Sequence, residues 1–534
     1  MDASILTNLK RQQTLYAHHS TIRGTNLRDQ PYIQSSKIPM DILVGSQAVH
    51  IQTPVESFAL DELVNWLLIE QLTHCANNDL GPTKGGRANY IFFVTVAQAY
   101  NWVNPILTGT IDRWNWDTNY KLQTAKDIYV FVCHALIAVI PTILPTLNIQ
   151  SIVLDEQRRM GWTAEQQTSY VYLIQQKTNF SLWLSNWNTW YSTRLNDGNV
   201  AASVPPTFSD LPNNSTILDP LQTQNISLYT NPSKWTPLLV QGRTQSWLTW
   251  NWENVSTTCL TDVHTSTIKS SATPFYPANR SLDIANLVST VTQIGDSEKV
   301  QAEFWAGGPF TASPPGIFLY LWSHYTRASM VAQNLGMNSF ILSGLELAVN
   351  LFEIGRICWG IKKTYAEARP IQDIRNLYAS STIKDFMGST IMGNLWLPFQ
   401  PANVVSPPFP DFTSGHSSFG QVFSNIMTAW FGTSIPSLPS TTYLRMNTIL
   451  SRTFVTDQSM PPGKFLFKAG SSEIQPGLIP ATNNTLHWSD WSTMTTSAGF
   501  SRQYGGIHPM SAHSGAVATA NSLVPIVNSV WRFR

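Results

Sequence analysis

The run from Phe340 to Ala368 constrains this chain most. Leu345, Leu347, Leu351, Ile354, Ile357 and Ile361 recur along it at mostly three- and four-residue steps, and Pro370 stands just beyond its end. So long an apolar stripe at that period predicts a helix buried among other helices. The same patterning predicts helices at Leu282–Thr292, Pro315–Leu335, Ser418–Phe431, Trp488–Phe500 and Ala512–Val530. In the first half it begins near Glu56, with Leu60, Leu63, Trp66, Leu67 and Leu72, and returns at Ala88–Trp102, Leu122–Val139 and Ala164–Leu195. No repeat of 20–50 residues stands out. The expected fold is all-α, two packed helical bundles joined by long irregular loops.

The domain reading is an N-terminal arm over residues 1–55, a helical region over 56–280 with a long loop at 196–262, and a C-terminal bundle over 281–534. Within the loop, KWTPLLVQGRTQSWLTWNW reads as a hairpin or extended segment. Gly81-Pro82-Thr83-Lys84-Gly85-Gly86-Arg87 lacks both the Gly-Lys-Ser/Thr ending and the leading strand of a phosphate-binding loop, so it reads as a plain loop before a helix.

Composition narrows the function classes. Only 12% of the 534 residues are charged and the net charge is +1, about half the usual charged share. Nothing pulls the whole protein toward nucleic acid or an acidic membrane, so any anion site must be a local cluster. Low surface charge makes a homo-oligomer a reasonable expectation. Cys75, Cys133, Cys259 and Cys358 lack metal-type spacing and read as buried thiols. No signal peptide is evident at the N-terminus. Ile128–Leu147 approaches the length of a membrane span but holds His134, Pro141 and Pro145, which favours a core helix. The expectation is a soluble chain without a span, its compartment unspecified. Asn213, Asn225 and Asn254 sit in Asn-X-Ser/Thr, which means little without a secretory signal.

Three segments carry chemistry. The first contains Trp359, Lys362, Arg369 and Pro370. Lys362 and Arg369 are seven apart, two turns of a helix that Pro370 ends, and so share a face. The second is PPFPDFTSGHSSFGQ, Pro407–Gln421. There Thr413 or Ser414 caps a helix, Gly415 lets the backbone approach a ligand, and His416 follows. The third holds Arg502, Gly505-Gly506 and His508. Each alone has an ordinary reading: a solvated cationic face, a capped loop, a helix-end arginine with a satisfied histidine. Together they supply three cations, a hydroxyl, a backbone N–H and two imidazoles, which is what a multiply charged tetrahedral oxyanion needs.

The order Lys-X6-Arg-Pro, Ser-Gly-His, Ser-Arg-X5-His resembles the shared signature of PAP2-type acid phosphatases and vanadium-dependent haloperoxidases. Thr413 stands where proline is usual. GPTKGGRANYIFF, NPSKWTPLLVQGRTQSW and EFWAGGPFTASPPG extend the resemblance on the haloperoxidase side. Trp359 and Phe409 fall where fungal-type chloroperoxidases carry the rings of their halide pocket. The resemblance implies one vanadate per chain, ligated by His508. Lys362, Arg369, Ser414, Gly415 and Arg502 would hold its oxygens, and His416 would be the acid–base group. Lys362, His416 and His508 would carry the reaction of hydrogen peroxide with halide to hypohalous acid, which meets a small organic acceptor. Two alternatives remain: a soluble phosphatase with His508 as nucleophile, and a non-catalytic relic.

Two positions depart from the pattern. Ala512 stands where many members have an acid four residues after the histidine. Gly307-Gly308 follow Trp305-Ala306 where fungal chloroperoxidases have an acid that pairs with the arginine of the third segment. Both departures bear on the residues that set imidazole tautomer and basicity.

Overall fold

The structure, a computed structural model, describes residues 55–533 except 160–161, 214–216, 223–228, 230, 309–310 and 437–464. The expected arm, residues 1–55, lies outside them but for Val55, and so does Asn225.

The described chain is all-α, as the periodicity demands, with strands confined to two-stranded hairpins. The first half contributes α1 (Val55–Asn77), α2 (Gly81–Val103), α3 (Ala125–Ile143), α4 (Ile149–Arg159), α5 (Ala164–Thr178) and α6 (Phe180–Leu195). Next come α7 (Asp262–Ser270), α8 (Arg280–Val291), α9 (Asp296–Phe304) and α10 (Ser313–Gln333). The long α11 (Met337–Tyr365) leads to α12 (Pro370–Leu377), α13 (Gly415–Phe431), α14 (Trp491–Tyr504) and α15 (Met510–Trp531). The shorter α4, α7, α9 and α12 escape the periodicity reading, since two or three turns give too few repeats to register.

The axis is α11, buried without a break from Phe340 to Lys362 and packed against α2, α10, α13 and α15. Its closest neighbours touch at Gly344, where a Cβ would stand 2.7 Å from the Trp322 ring. One apolar core runs from Leu60 on α1 to Phe533 after α15, and α11 passes through it. Burying an aliphatic or aromatic side chain contributes roughly 1.5–3 kcal/mol, so this helix is the best-anchored platform in the molecule.

Some expectations are corrected. Gly81–Arg87 is no loop but the first turns of α2: Pro82 suits a first turn, and Gly86 faces Pro315 and the Leu351 carbonyl. The helix expected over Ala164–Leu195 breaks at Asn179, which takes left-handed φ/ψ and caps α6 by accepting from Leu182 N. The hairpin expected within KWTPLLVQGRTQSWLTWNW is a tight one, Leu239–Val240 against Arg243–Thr244. Gln241 and Gly242, both at positive φ, turn it. Asn213 is buried and clamps its loop through the Asn231 and Lys234 carbonyls and Thr236 Oγ1. None of the four cysteines is joined in a disulfide; Cys259 is partly exposed rather than buried. Among the described residues one helix, Ala125–Ile143, is long and apolar enough to cross a membrane, and half of that stretch is buried in the protein.

Candidate oxyanion site

Lys362 and Arg369 do meet, but not as members of one helix. Ala366 ends α11 in the left-handed region, and Arg369 is extended at the N-cap of α12. Pro370 enforces this, because it disfavours helical backbone for the residue before it and suits a first helical turn. The chain turns at 366–369, and the loop around Trp235 clamps the turn. Trp235 N bonds Ala366 O at 2.8 Å, Ala368 N bonds Ser233 O at 2.9 Å, and Lys234 Nζ reaches Tyr365 O at 2.6 Å.

The second segment lies against this turn. Lys362 Nζ, wholly buried, donates to the carbonyls of Pro410 at 2.8 Å and Asp411 at 2.9 Å. Arg369 Nε donates to Phe409 O at 2.7 Å. The Phe412–Thr413 peptide is cis. Ser414 then caps α13, its N–H bonded to Ala512 O at 2.9 Å and its side chain accepting from Ser417 N at 3.4 Å. Gly415 and His416 form the first turn of α13.

The third segment closes the site. After α14, Gly506 turns the chain at φ +68°, and a Cβ there would stand 2.9 Å from the Trp396 ring. The N–H groups of Ile507 and His508 return to the Arg502 carbonyl at 3.0 and 3.3 Å. Arg502 and His508 are therefore held as one unit. Arg369 Nη1 donates to Ile507 O at 2.9 Å and stands 3.2 Å from His508 Nε2. Trp359 and Phe409 also come together, ring centroids 4.9 Å apart. Trp359 Nε1 donates to Leu248 O at 2.9 Å, and Leu248 N to Pro408 O at 3.0 Å, so residues around 248 brace that wall.

The electrostatics call for an anion. Burial pulls Lys362 down to about 7, with Arg369 adding to the fall. Burial likewise lowers Arg369 to about 10, and burial together with Arg369 lowers Arg502 to about 9. Burial and Arg369 keep His508 neutral, at about 3, against the pull of Asp411. Burial and Arg502 hold His416 well below its ordinary value. Two guanidinium atoms, Arg369 Nη2 and Arg502 Nε, are buried without a hydrogen-bond partner. Leaving such donors unpaired costs about 1–3 kcal/mol each, more when charged. Among the described residues no cluster of three His, Cys, Asp or Glu could hold a bare metal ion. The donor set fits an oxyanion: cations and N–H groups around one neutral imidazole.

Residues 344–529 match the family model of the VCPO second helical-bundle domain. Among solved structures, an apo-type bacterial vanadium-dependent chloroperoxidase superposes with a TM-score of 0.59 at 15% identity, over 85% of this chain and 95% of that one. A bacterial vanadium-dependent iodoperoxidase superposes at 0.54 and 15%, over 89% and 96%. Residues 344–529 thus match a VCPO second helical-bundle domain, and the chain has the fold of the vanadium haloperoxidases. Among curated proteins, none matches it in sequence.

At the two positions where the sequence departs from the pattern it resembles, Gly307-Gly308 and Ala512, other groups contact the arginine and the histidines. Arg502 Nη1 donates to the backbone carbonyl of Trp305 at 3.0 Å, and the same carbonyl lies 2.6 Å from His416 Nε2. His508 Nδ1 meets Asp411 Oδ1. Asp411 lies within Pro407–Gln421, outside the site residues that the sequence pattern predicts. The signal available was its place as the sole acid in an otherwise uncharged run.

Proposed function

We propose that this chain is a vanadium-dependent haloperoxidase that oxidises halide with hydrogen peroxide to hypohalous acid, with one vanadate per chain ligated by His508. The observation that carries this is the pair of buried, unpartnered N–H groups on Arg369 and Arg502, set beside a neutral His508 in a fold of this family. Bound there, vanadate would supply a Lewis-acid centre that activates peroxide for oxygen transfer to halide without changing its own oxidation state.

The chain's residues do the rest. Lys362, Arg369 and Arg502 neutralise the oxyanion and fix its orientation, and the Ser414 hydroxyl and the Gly415 N–H add neutral donors at the N-terminus of α13. His416 donates from Nε2 to the Trp305 carbonyl, which leaves Nδ1 as the nitrogen that accepts a proton from peroxide. The Trp359 and Phe409 rings exclude water beside Lys362 and form the halide pocket. The product meets a small organic acceptor in solution or at the mouth.

The deciding assay follows loss of monochlorodimedone with hydrogen peroxide and bromide, before and after incubation with orthovanadate, beside His508→Ala. Vanadate-dependent activity that the variant lacks is expected. A phosphomonoesterase reading fits the same His508–Asp411 contact, since an unprotonated Nε2 serves attack as well as ligation. Vanadate-inhibited hydrolysis of p-nitrophenyl phosphate without halogenation would establish that reading instead. Inactivity of folded protein in both assays would mark a relic.

A further inference from the structure

We propose that Asp411, locked by Arg280, is the positioning residue of His508. It fixes the imidazole proton on Nδ1 and presents Nε2, unprotonated, to the oxyanion. This rests on reading the site as an oxyanion cradle.

The geometry gives each oxygen of Asp411 one hydrogen-bond partner, with Arg369 Nη1 a further 4.0 Å ion-pair contact to Oδ1. Oδ1 meets His508 Nδ1, and Oδ2 accepts from Arg280 Nη2 at 2.7 Å. The carboxylate is wholly buried. An ionised carboxylate can only accept, so Nδ1 must carry the proton. Ala512, which takes the place of an acid in many relatives, offers only a methyl group, and its carbonyl is already used by Ser414 N. The acid that meets His508 is supplied instead by the loop before His416.

Arg280 explains why Asp411 holds still. It lies on α8, outside all three signature segments, yet α8 binds the first two and the chain just after the third. Arg280 reaches Glu367 at 3.2 Å and the Ala368 carbonyl at 3.1 Å, both beside Arg369. It also pairs with Asp411 in the second segment. Asp283, one turn further along α8, accepts from Ser511 Oγ, three residues after His508, at 2.5 Å. A single guanidinium thus sets the register of Arg369, Asp411 and, through its own helix, the chain just after His508. Arginine suits this because its planar fork serves several acceptors at once, which a lysine ammonium cannot reproduce.

The test uses full-length protein with 15N-labelled histidine. Two-bond 1H–15N spectra report the tautomer of each ring, and the His508 signals are assigned by their loss in His508→Gln. In the native protein His508 is expected as the Nδ1–H tautomer. In Asp411→Asn, which keeps the shape but not the charge, that preference should be lost. Calorimetric affinity for orthophosphate and orthovanadate should fall by about tenfold or more, the usual consequence of removing a partner behind a ligating histidine. Arg280→Lys should weaken both readouts in the same direction, and it carries the test if Asp411→Asn does not fold. An unchanged tautomer together with affinities within twofold of native would overturn the proposal. Should the native protein bind neither anion while His508 still shows a tautomer that depends on Asp411, the cradle reading fails and the positioning role stands.

Discussion

The backbone carbonyl of Trp305 stands 2.6 Å from Nε2 of His416. A carbonyl can only accept, so that contact selects the Nε2–H tautomer. It does so with an atom every residue type possesses. The same oxygen receives Arg502 at 3.0 Å, which couples the proposed acid–base group to the third segment without an acidic side chain.

His416→Ala is therefore expected to separate binding from turnover. Vanadate affinity should stay within a few-fold, because the cations and His508 remain. The rate of halogenation should fall by roughly 10²–10⁴-fold, the usual worth of a positioned acid–base group. Steady-state halogenation beside calorimetric titration of vanadate checks this, and equal loss in both would remove His416 from the proton-transfer role.

Gly307 sits at φ +53°, and a Cβ there would lie 3.4 Å from both His416 Nε2 and Pro314 Cδ. Gly307→Ala should cost about 1–2 kcal/mol in backbone strain. It should also displace the His416–Trp305 contact and lower turnover. Thermal melts and rates measured together test it, and a variant of native stability and rate would show that the turn adapts freely.

Phe409 lies under two cations, with Lys362 Nζ 5.1 Å and Arg369 Cζ 4.9 Å from its ring centre. A desolvated contact of this kind contributes about 2 kcal/mol. Phe409→Leu keeps an apolar wall but removes the ring face. The expectation is oxyanion binding weakened by about tenfold, with a smaller rise in the halide KM. Phe409→Ala, which also admits water, should raise the halide KM further. Comparing the two variants shows whether the ring acts through charge or through exclusion.

Glu303 provides a pH test away from the site. Burial pushes its carboxyl up to about 7, although Ser472 Oγ and Glu473 N donate to it. A carboxyl whose pKa is higher folded than unfolded holds its proton more tightly when folded. Its contribution is thus full below about pH 4.5, declines as pH rises through about 7, and levels off above. The decline amounts to about 3 kcal/mol at most. Chemical denaturation of native protein and Glu303→Gln between pH 5 and 8 should show a shallower slope in the variant. Parallel slopes would mean that Glu303 does not titrate there.

The all-α class, the long central helix and the three segments were legible because each rests on local rules. Apolar period, prolines and caps act within a few residues, so Phe340–Ala368 and Ser414 announce themselves. Lys362 and Arg369 were correctly joined but for the wrong reason. Their seven-residue spacing suggested one helix face, whereas Pro370 and left-handed Ala366 break the helix between them.

By itself, then, the sequence determined which cations, hydroxyls and imidazoles the proposed site can draw on and which stretches become helices. Tertiary structure alone decided which partners set the two imidazoles. Asp411 reaches His508 across 97 positions, His416 finds a carbonyl 111 positions away, and Arg280 joins Asp411 across 131. No periodicity or motif spans such distances. The contacts exist because α11 packs on α13, α13 on α14 and α14 on α8, and a backbone carbonyl carries no signature in sequence at all.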